Sequence, residues 1–267
     1  MPVAKQTNVG TSSRTPFKHW VLNSELGRIC GVLSTGKVHA RACPFHVIDL
    51  CAGDGHASSD SEQSSPEIIT RHCRWLEKRG LRSKATLIER GAITFAELMR
   101  NTQPETWLER LNMDAREYRL NRTSKHQAMF IHADPNSIAD WPITQQLLES
   151  LSETTTMLAT LGCNVGGLKR LKREDRLPWF NHVQSCIEAM PKYHDALLIE
   201  LANDKSQWAY LLRLPARWTA ETAVKLRTVG RKYTTFDLNL ASVRINPTEF
   251  MAMENKLFLT KEERGEK

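Results

Sequence analysis

A chain of 267 residues with 40% hydrophobic content carries enough apolar material for one large core, which excludes a disordered polypeptide. No apolar run approaches the ~20 residues of a membrane span, and the opening MPVAKQTNVGTSSRTP lacks the apolar centre of a secretory signal, so no membrane partner and no export are expected. The net charge of +7 permits an anionic partner such as nucleic acid without requiring one, because acids and bases are mixed along most of the chain.

Residues 1–17 read as a flexible lead-in. From Lys18 to Leu33, Trp20, Leu22, Leu26, Ile29 and Leu33 recur at helical spacing, and Ser34-Thr35-Gly36 breaks the pattern. The β-branched, apolar run Phe45–Leu50 predicts a buried parallel strand. Residues 55–65 are small and polar, a loop. Pro66 then opens a helix through Ile68, Ile69, Cys73 and Leu76, which Gly80 stops. A second strand is expected at Ala85–Glu89 and a helix at Thr94–Arg100. Glu105–Leu111 reads as another helix, and a short third strand falls within Asp114–Asn121. Ala128–Ala133 is a fourth strand, ended by Asp134-Pro135-Asn136, since proline cannot continue a ladder. Thr144–Leu151 reads as helix, Thr155–Leu161 as a fifth strand, and Trp179–Met190 as helix. Only the segment ANDKSQ separates the strands Ala196–Leu201 and Trp208–Leu214, too little for a helical crossover, so they form an antiparallel hairpin. Beyond them, Ala220–Lys267 adds a helix, a strand near Thr234–Leu240 and a charged tail. The expected architecture is a Rossmann-like α/β domain over residues 18–219, with helices on both faces of a mostly parallel sheet closed by one hairpin. Residues 220–267 form a C-terminal extension.

The segment Phe45–Gly55, FHVIDLCAGDG, carries the strongest chemical signal. Asp49 stands at the carboxyl end of its strand, where open α/β sheets hold ligands, and Gly53 and Gly55 allow a tight turn and close approach. The pattern resembles motif I, D-x-x-x-G-x-G, of the class I S-adenosylmethionine-dependent methyltransferases. That likeness implies adenosylmethionine as cofactor, with a second-strand acid accepting hydrogen bonds from its two ribose hydroxyls. Glu89, in TLIER, is the acid so placed, although it follows Asp49 by 40 residues where compact dinucleotide folds use about 20. The expected cofactor residues are Asp49, Cys51, Ala52, Gly53, Asp54, Gly55, Glu89 and Arg90.

Acceptor chemistry is expected at His132-Ala-Asp-Pro-Asn136. Amino-methyltransferases of nucleic acids carry D/N-P-P-Y/F/W at a fourth strand end, where an acid or amide and a prolyl carbonyl receive the target amine. Asp134 and Pro135 match, whereas Asn136 and Ser137 replace proline and the aromatic, so Trp141 is the candidate stacking residue. Asp134, Pro135 and Asn136 are the expected catalytic group. Further on, GCNVGGLKRLKREDR offers Asn164 in a glycine loop, with Lys169, Arg170, Lys172 and Arg173 to track phosphates. Plainer readings stand beside these: glycines that serve only the turn, a solvated acid, an Asp-Pro that merely ends a strand, a charge run that faces water. The six cysteines are scattered without C-x-x-C spacing, so neither a metal site nor a disulfide framework is expected, and a cytoplasmic setting follows.

Taken in order, Lys18 and Trp20 on the first helix, VIDLCAGDG, the Ser65-Pro66 helix start, LIER, FIHADPNS, Trp141 and TTMLATLGCNVGGLKR resemble the three-Cys-motif partner family. This family is a Rossmann-like branch related to class I methyltransferases. The resemblance spans roughly residues 15–215. Cys51 stands where an aromatic is common and Asp54 where proline is common. The resemblance implies adenosylmethionine binding and methyl transfer. The function read from the sequence is methyl transfer to a base amine or ring nitrogen of DNA or RNA. The alternatives are a binding module of the same fold that acts through a protein partner, and a different enzyme using the same pocket.

Overall fold

The computed structural model describes residues 15–35, 43–56, 63–120, 127–134, 155–160, 194–203, 206–233 and 237–243. The first helix, α1 (Thr15–Ser34), already starts at Thr15 and buries Phe17, Val21, Leu22, Leu26, Ile29, Cys30 and Leu33 along one stripe. Strand β1 (Phe45–Asp49) is buried at every residue, as its apolar composition requires of a central parallel strand. Helix α2 (Ser65–Glu77) is fixed at its start by a capping box. The Glu67 amide donates to Ser64 Oγ at 3.4 Å and the Ser64 amide to Glu67 Oε2 at 2.8 Å, with Pro66 in the first turn. Strand β2 (Ser83–Glu89) and helix α3 (Ala92–Asn101) follow as expected.

The next segment departs from expectation. Residues 108–112 form strand β3 (Leu108–Asn112) rather than part of a helix, and the third strand therefore precedes Asp114–Asn121. Leu108 and Leu111 have helical spacing, but pairing with β2, from Ala85 opposite Leu108 to Glu89 opposite Asn112, decides the conformation. Strands β4 (Met129–Ala133) and β5 (Thr155–Thr160) lie where the sequence puts them. The hairpin strands β6 (His194–Asn203) and β7 (Ser206–Pro215) run longer than expected, pairing out to Asn203 opposite Ser206. Helix α4 (Ala216–Tyr233) and strand β8 (Asp237–Val243) complete the described chain, and β8 pairs antiparallel with β6. The helices expected at Thr144–Leu151 and Trp179–Met190 lie outside the described residues.

The sheet order is β3-β2-β1-β4-β5-β7-β6-β8. Pairing is parallel from β3 through β5 and antiparallel from β7 onward. This is the class I methyltransferase fold, a mixed sheet with a reversed β7, carrying one further edge strand. Helices α1, α2 and α4 cover one face, where Phe17, Ile69 and Leu226 join Phe45, Val47, Leu87, Phe130, Leu158 and Leu212 in a single apolar cluster. Ile48, Ile88, Ile131 and Met157, of the opposite parity, are buried too, as a sheet packed on both faces demands. No helix among the described residues is long and apolar enough to cross a membrane. From β1 the chain winds to β2 and β3 on one side, then returns to place β4 on the other. That reversal opens a crevice at the carboxyl ends of β1 and β4, the position where such sheets take ligands.

Candidate functional site

Asp49 and His132 are register partners at that crevice. Asp49 is fully buried; its Oδ1 meets His132 Nδ1 at 3.0 Å and receives the Cys51 amide at 3.4 Å. Its other oxygen, Oδ2, is buried and has no hydrogen-bond partner among the described residues. An orphan carboxylate oxygen costs energy unless something donates to it, so this atom marks a place for a ligand or a water.

After β1 the chain turns through Gly53 (φ 65°) and Gly55 (φ 71°), both in the left-handed region that glycine enters without penalty. A Cβ at Gly53 would meet no described residue within 4 Å, whereas one at Gly55 would lie 3.0 Å from Leu98 Cδ1. Gly53 thus borders open space, and Gly55 is packed against α3. The turn is tied down by Ala52 N–H to the Ile88 carbonyl (2.9 Å), Asn101 Nδ2 to the Asp54 carbonyl (2.9 Å) and Ser64 Oγ to the Gly55 carbonyl (2.9 Å). Asp54 itself is exposed and accepts from the His56 amide at 2.9 Å, closing an Asx turn. Cys51 is half-buried and Arg90 exposed at the end of β2.

Glu89 reaches into the same turn. Its Oε2 accepts from Gly53 N–H at 3.2 Å and its Oε1 from Gly91 N–H at 2.7 Å. The two strand-end acids therefore flank the glycine turn despite the 40 residues between them. A carboxylate has about four lone-pair directions, so these two amides leave capacity for two further donors. An orphan acid oxygen, open space at Gly53 and a second acid with spare acceptors fit a ligand carrying hydroxyl and ammonium donors.

On the acceptor side, Asp134 follows β4 and forms an ion pair with Lys18 of α1, the two side chains 20% and 10% exposed respectively. Pro135, Asn136, Trp141, Asn164, Lys169, Arg170, Lys172 and Arg173 lie outside the described residues. Lys18, His19, His132, Asp134 and Asp49 form one cluster of ionisable groups beneath α1. Burial drives the His132 imidazolium toward neutrality, but the Asp49 charge and hydrogen bond, with Asp134, outweigh it and hold His132 above its ordinary value. His19 is pushed down to about 4 by burial, then by Lys18 and His132, and its Nδ1 is buried without a hydrogen-bond partner among the described residues. Sequence reasoning missed His19, although the adjacent pair Lys18-His19 on a core-facing helix was a usable signal. Asp114, near the end of β3, is held at about 2, chiefly by hydrogen bonds from Arg116.

No family model matches the sequence, and no curated protein matches it. Similar folds occur among solved structures. Protein LPL1258 from Legionella pneumophila, of the DUF519 family model, superposes with a TM-score of 0.54 at 10% identity, covering 87% of this chain and 98% of that one. The N-terminal domain of human METTL16 in complex with SAH gives 0.41 at 10% identity, over 72% and 69% of the two chains. An rRNA methylase from Streptococcus thermophilus gives 0.40 at 10% identity, over 77% and 98%. The likeness to LPL1258 extends to nearly that whole chain and is one of fold alone; the strand order is that of the class I methyltransferase fold.

Proposed function

We propose that the chain binds adenosylmethionine at the carboxyl ends of β1 and β2 and transfers its methyl group to a base of a nucleic acid. The observation that carries this reading is the Glu89–Gly53 link beside the orphan oxygen of Asp49. Two acids and a glycine turn are brought together, with acceptor capacity unspent and room at Gly53. When bound, the cofactor supplies an electrophilic methyl group on a cationic sulfonium. Glu89 accepts the ribose hydroxyls, and Asp49 Oδ2 accepts a further donor in the buried floor. Asp134 orients the acceptor amine, in company with Pro135, Asn136 and Trp141. Asn164, Lys169, Arg170, Lys172 and Arg173 meet the acceptor strand. Within the class I fold, VIDLCAGDG, LIER and FIHADPNS support kinship with the three-Cys-motif partner family.

One observation favours a second reading, a methyl-donor-binding module without transfer. Lys18 already pairs with Asp134, so an acceptor amine must share that carboxylate with an ammonium, which blunts its pull on the amine. Calorimetry with adenosylmethionine, followed by transfer of labelled methyl to DNA, RNA and protein panels, separates the readings. Binding with transfer to nucleic acid is the expected result. Asp134→Ala should then cut single-turnover transfer by ~100-fold or more while sparing methyl-donor affinity. Binding without transfer to any panel selects the module, and absence of binding removes the methyl-donor site altogether.

A further inference from the structure

The amino-terminal edge of the sheet, opposite the glycine turn, carries a basic surface that the methyl-transfer site does not use. Between Arg71 and Lys84 the chain reads RHCRWLEKRGLRSK, with Glu77 its sole acid. Arg74 is spent on Glu105 (2.8 Å) and Lys84 on Glu109 (3.1 Å). Lys78, Arg79 and Arg82 are exposed, and none has a carboxylate partner among the described residues. The Arg79 guanidinium lies 3.7 Å over the Trp75 ring, a flat cationic surface. Beside it opens a cleft of about 480 Å³ lined by Arg82, Lys84, Ser83 and Trp107, with Glu77 and Glu109 in its wall. Both acids are already engaged. Glu77 Oε1 accepts from the Ser83 amide (2.5 Å) and hydroxyl (2.8 Å), while Glu109 takes Lys84 and the Thr86 hydroxyl (3.1 Å). Within the cleft Arg82 and Lys84 balance Glu77 and Glu109, so the excess positive charge of this surface lies on its rim, at the exposed Lys78 and Arg79. The α2 dipole accounts for cations at the helix end, Arg74 and Lys78, but not for Arg82 and Lys84 beyond it.

We infer that this surface is a docking site for the sugar–phosphate backbone of a nucleic acid, separate from the methyl-transfer crevice. The inference rests on the reading above that the acceptor is a nucleic acid. Charge complementarity selects the occupant: spaced, exposed cations beside aromatic faces match a repeating polyanion carrying flat bases. An open cleft does not enclose a single small anion. From Ser83 to Glu89, β2 spans about 20 Å at ~3.3 Å per residue, so the patch holds a strand some six stacked nucleotides from the glycine turn.

The test uses the full chain with Lys78 and Arg82 replaced by glutamine (K78Q/R82Q), which leaves the Arg79–Trp75 stack in place. Fluorescence anisotropy with 20-nucleotide RNA and DNA is followed across salt. Calorimetry with adenosylmethionine and a thermal melt are run on the same preparations. Each phosphate neutralised contributes about 0.7–0.9 to the slope of log affinity against log salt. The double variant should therefore lose about 1.4–1.8 of that slope, with unchanged methyl-donor affinity and melting. A wild-type slope in a folded double variant overturns the docking site alone. Absence of salt-dependent binding by the wild-type protein to either polymer overturns the docking site and the nucleic-acid acceptor together, while the calorimetry still reports on the methyl-donor site. Equal loss of affinity for polyglutamate overturns the assignment to nucleic acid.

Discussion

Gly53 and Gly55 share a left-handed backbone but stand in different surroundings. Alanine at either position pays about 1–2 kcal/mol for that conformation. At Gly53 the added methyl meets open space, whereas at Gly55 it must also displace Leu98. Gly53→Ala should therefore destabilise less than Gly55→Ala in urea unfolding, yet weaken adenosylmethionine binding more. Equal stability losses with unchanged affinity in Gly53→Ala would mean that the space beside Gly53 holds nothing. Glu89 serves both sides of this turn. In Glu89→Gln one carboxylate oxygen becomes an amide nitrogen, so either Gly53 or Gly91 loses its acceptor. The variant should lose about 1–3 kcal/mol of stability and weaken methyl-donor binding by a similar amount, the scale of hydrogen bonds to a charged group. Full stability with weakened binding would place the carboxylate on the ligand alone.

Among the elements, α1 has the widest reach, because its side chains hold both the crevice and α4. Lys18 pairs with Asp134 after β4, and Glu25 Oε2 accepts from Thr222 Oγ1 of α4 at 3.1 Å. Lys18→Met removes the ammonium and should cost about 1.5–3 kcal/mol, the scale of a charge-assisted hydrogen bond. Adding Asp134→Asn should restore part of that loss, because the unpaired carboxylate goes with it. A double-mutant cycle by urea unfolding reads the coupling, and strictly additive losses would show that the pair does not hold the helix. The strands and helices were largely legible because burial imposes periodicity: β1 is a continuous apolar run and α1 an apolar stripe. Leu108–Asn112 was not, because its apolar residues fit a helix as well as an edge strand, and only pairing with β2 decides. Asp49, Gly53 and Glu89 could be picked out one by one. That the glutamate would grip the glycine's amide could not, since that depends on how far two loops lie apart in space. Nor could the sequence show that Lys18 occupies Asp134, as 116 residues separate them.

For the whole molecule, the buried histidines set the response to acid. His19, His46 and His72 are each pushed down to about 4, burial being the largest cause in all three. The Thr86 hydroxyl donates its one proton to Glu109, so it accepts from His46 Nε2–H at 2.9 Å, which sets the tautomer of the neutral ring. A histidine whose value falls on folding stabilises the native state above its unfolded value, near 6.5. That contribution disappears as pH drops through the folded value near 4. His132 works in the opposite direction: its raised value stabilises the native state below about 6.5 and ceases to do so as pH climbs through the folded value. His132 therefore adds no slope below about 6.5, and the three lowered histidines should leave the protein losing stability as pH falls from 6.5 to 4, at about 1.4 kcal/mol per pH unit for each net proton taken up on unfolding. His46→Gln keeps an N–H donor for Thr86 and cannot titrate. Urea unfolding across pH 8 to 4 should show the variant's stability falling less steeply than wild type in that window and running parallel to it above pH 7. If the two curves keep the same slope down to pH 4, His46 is not held neutral by its burial, and the acid response must come from the carboxylates.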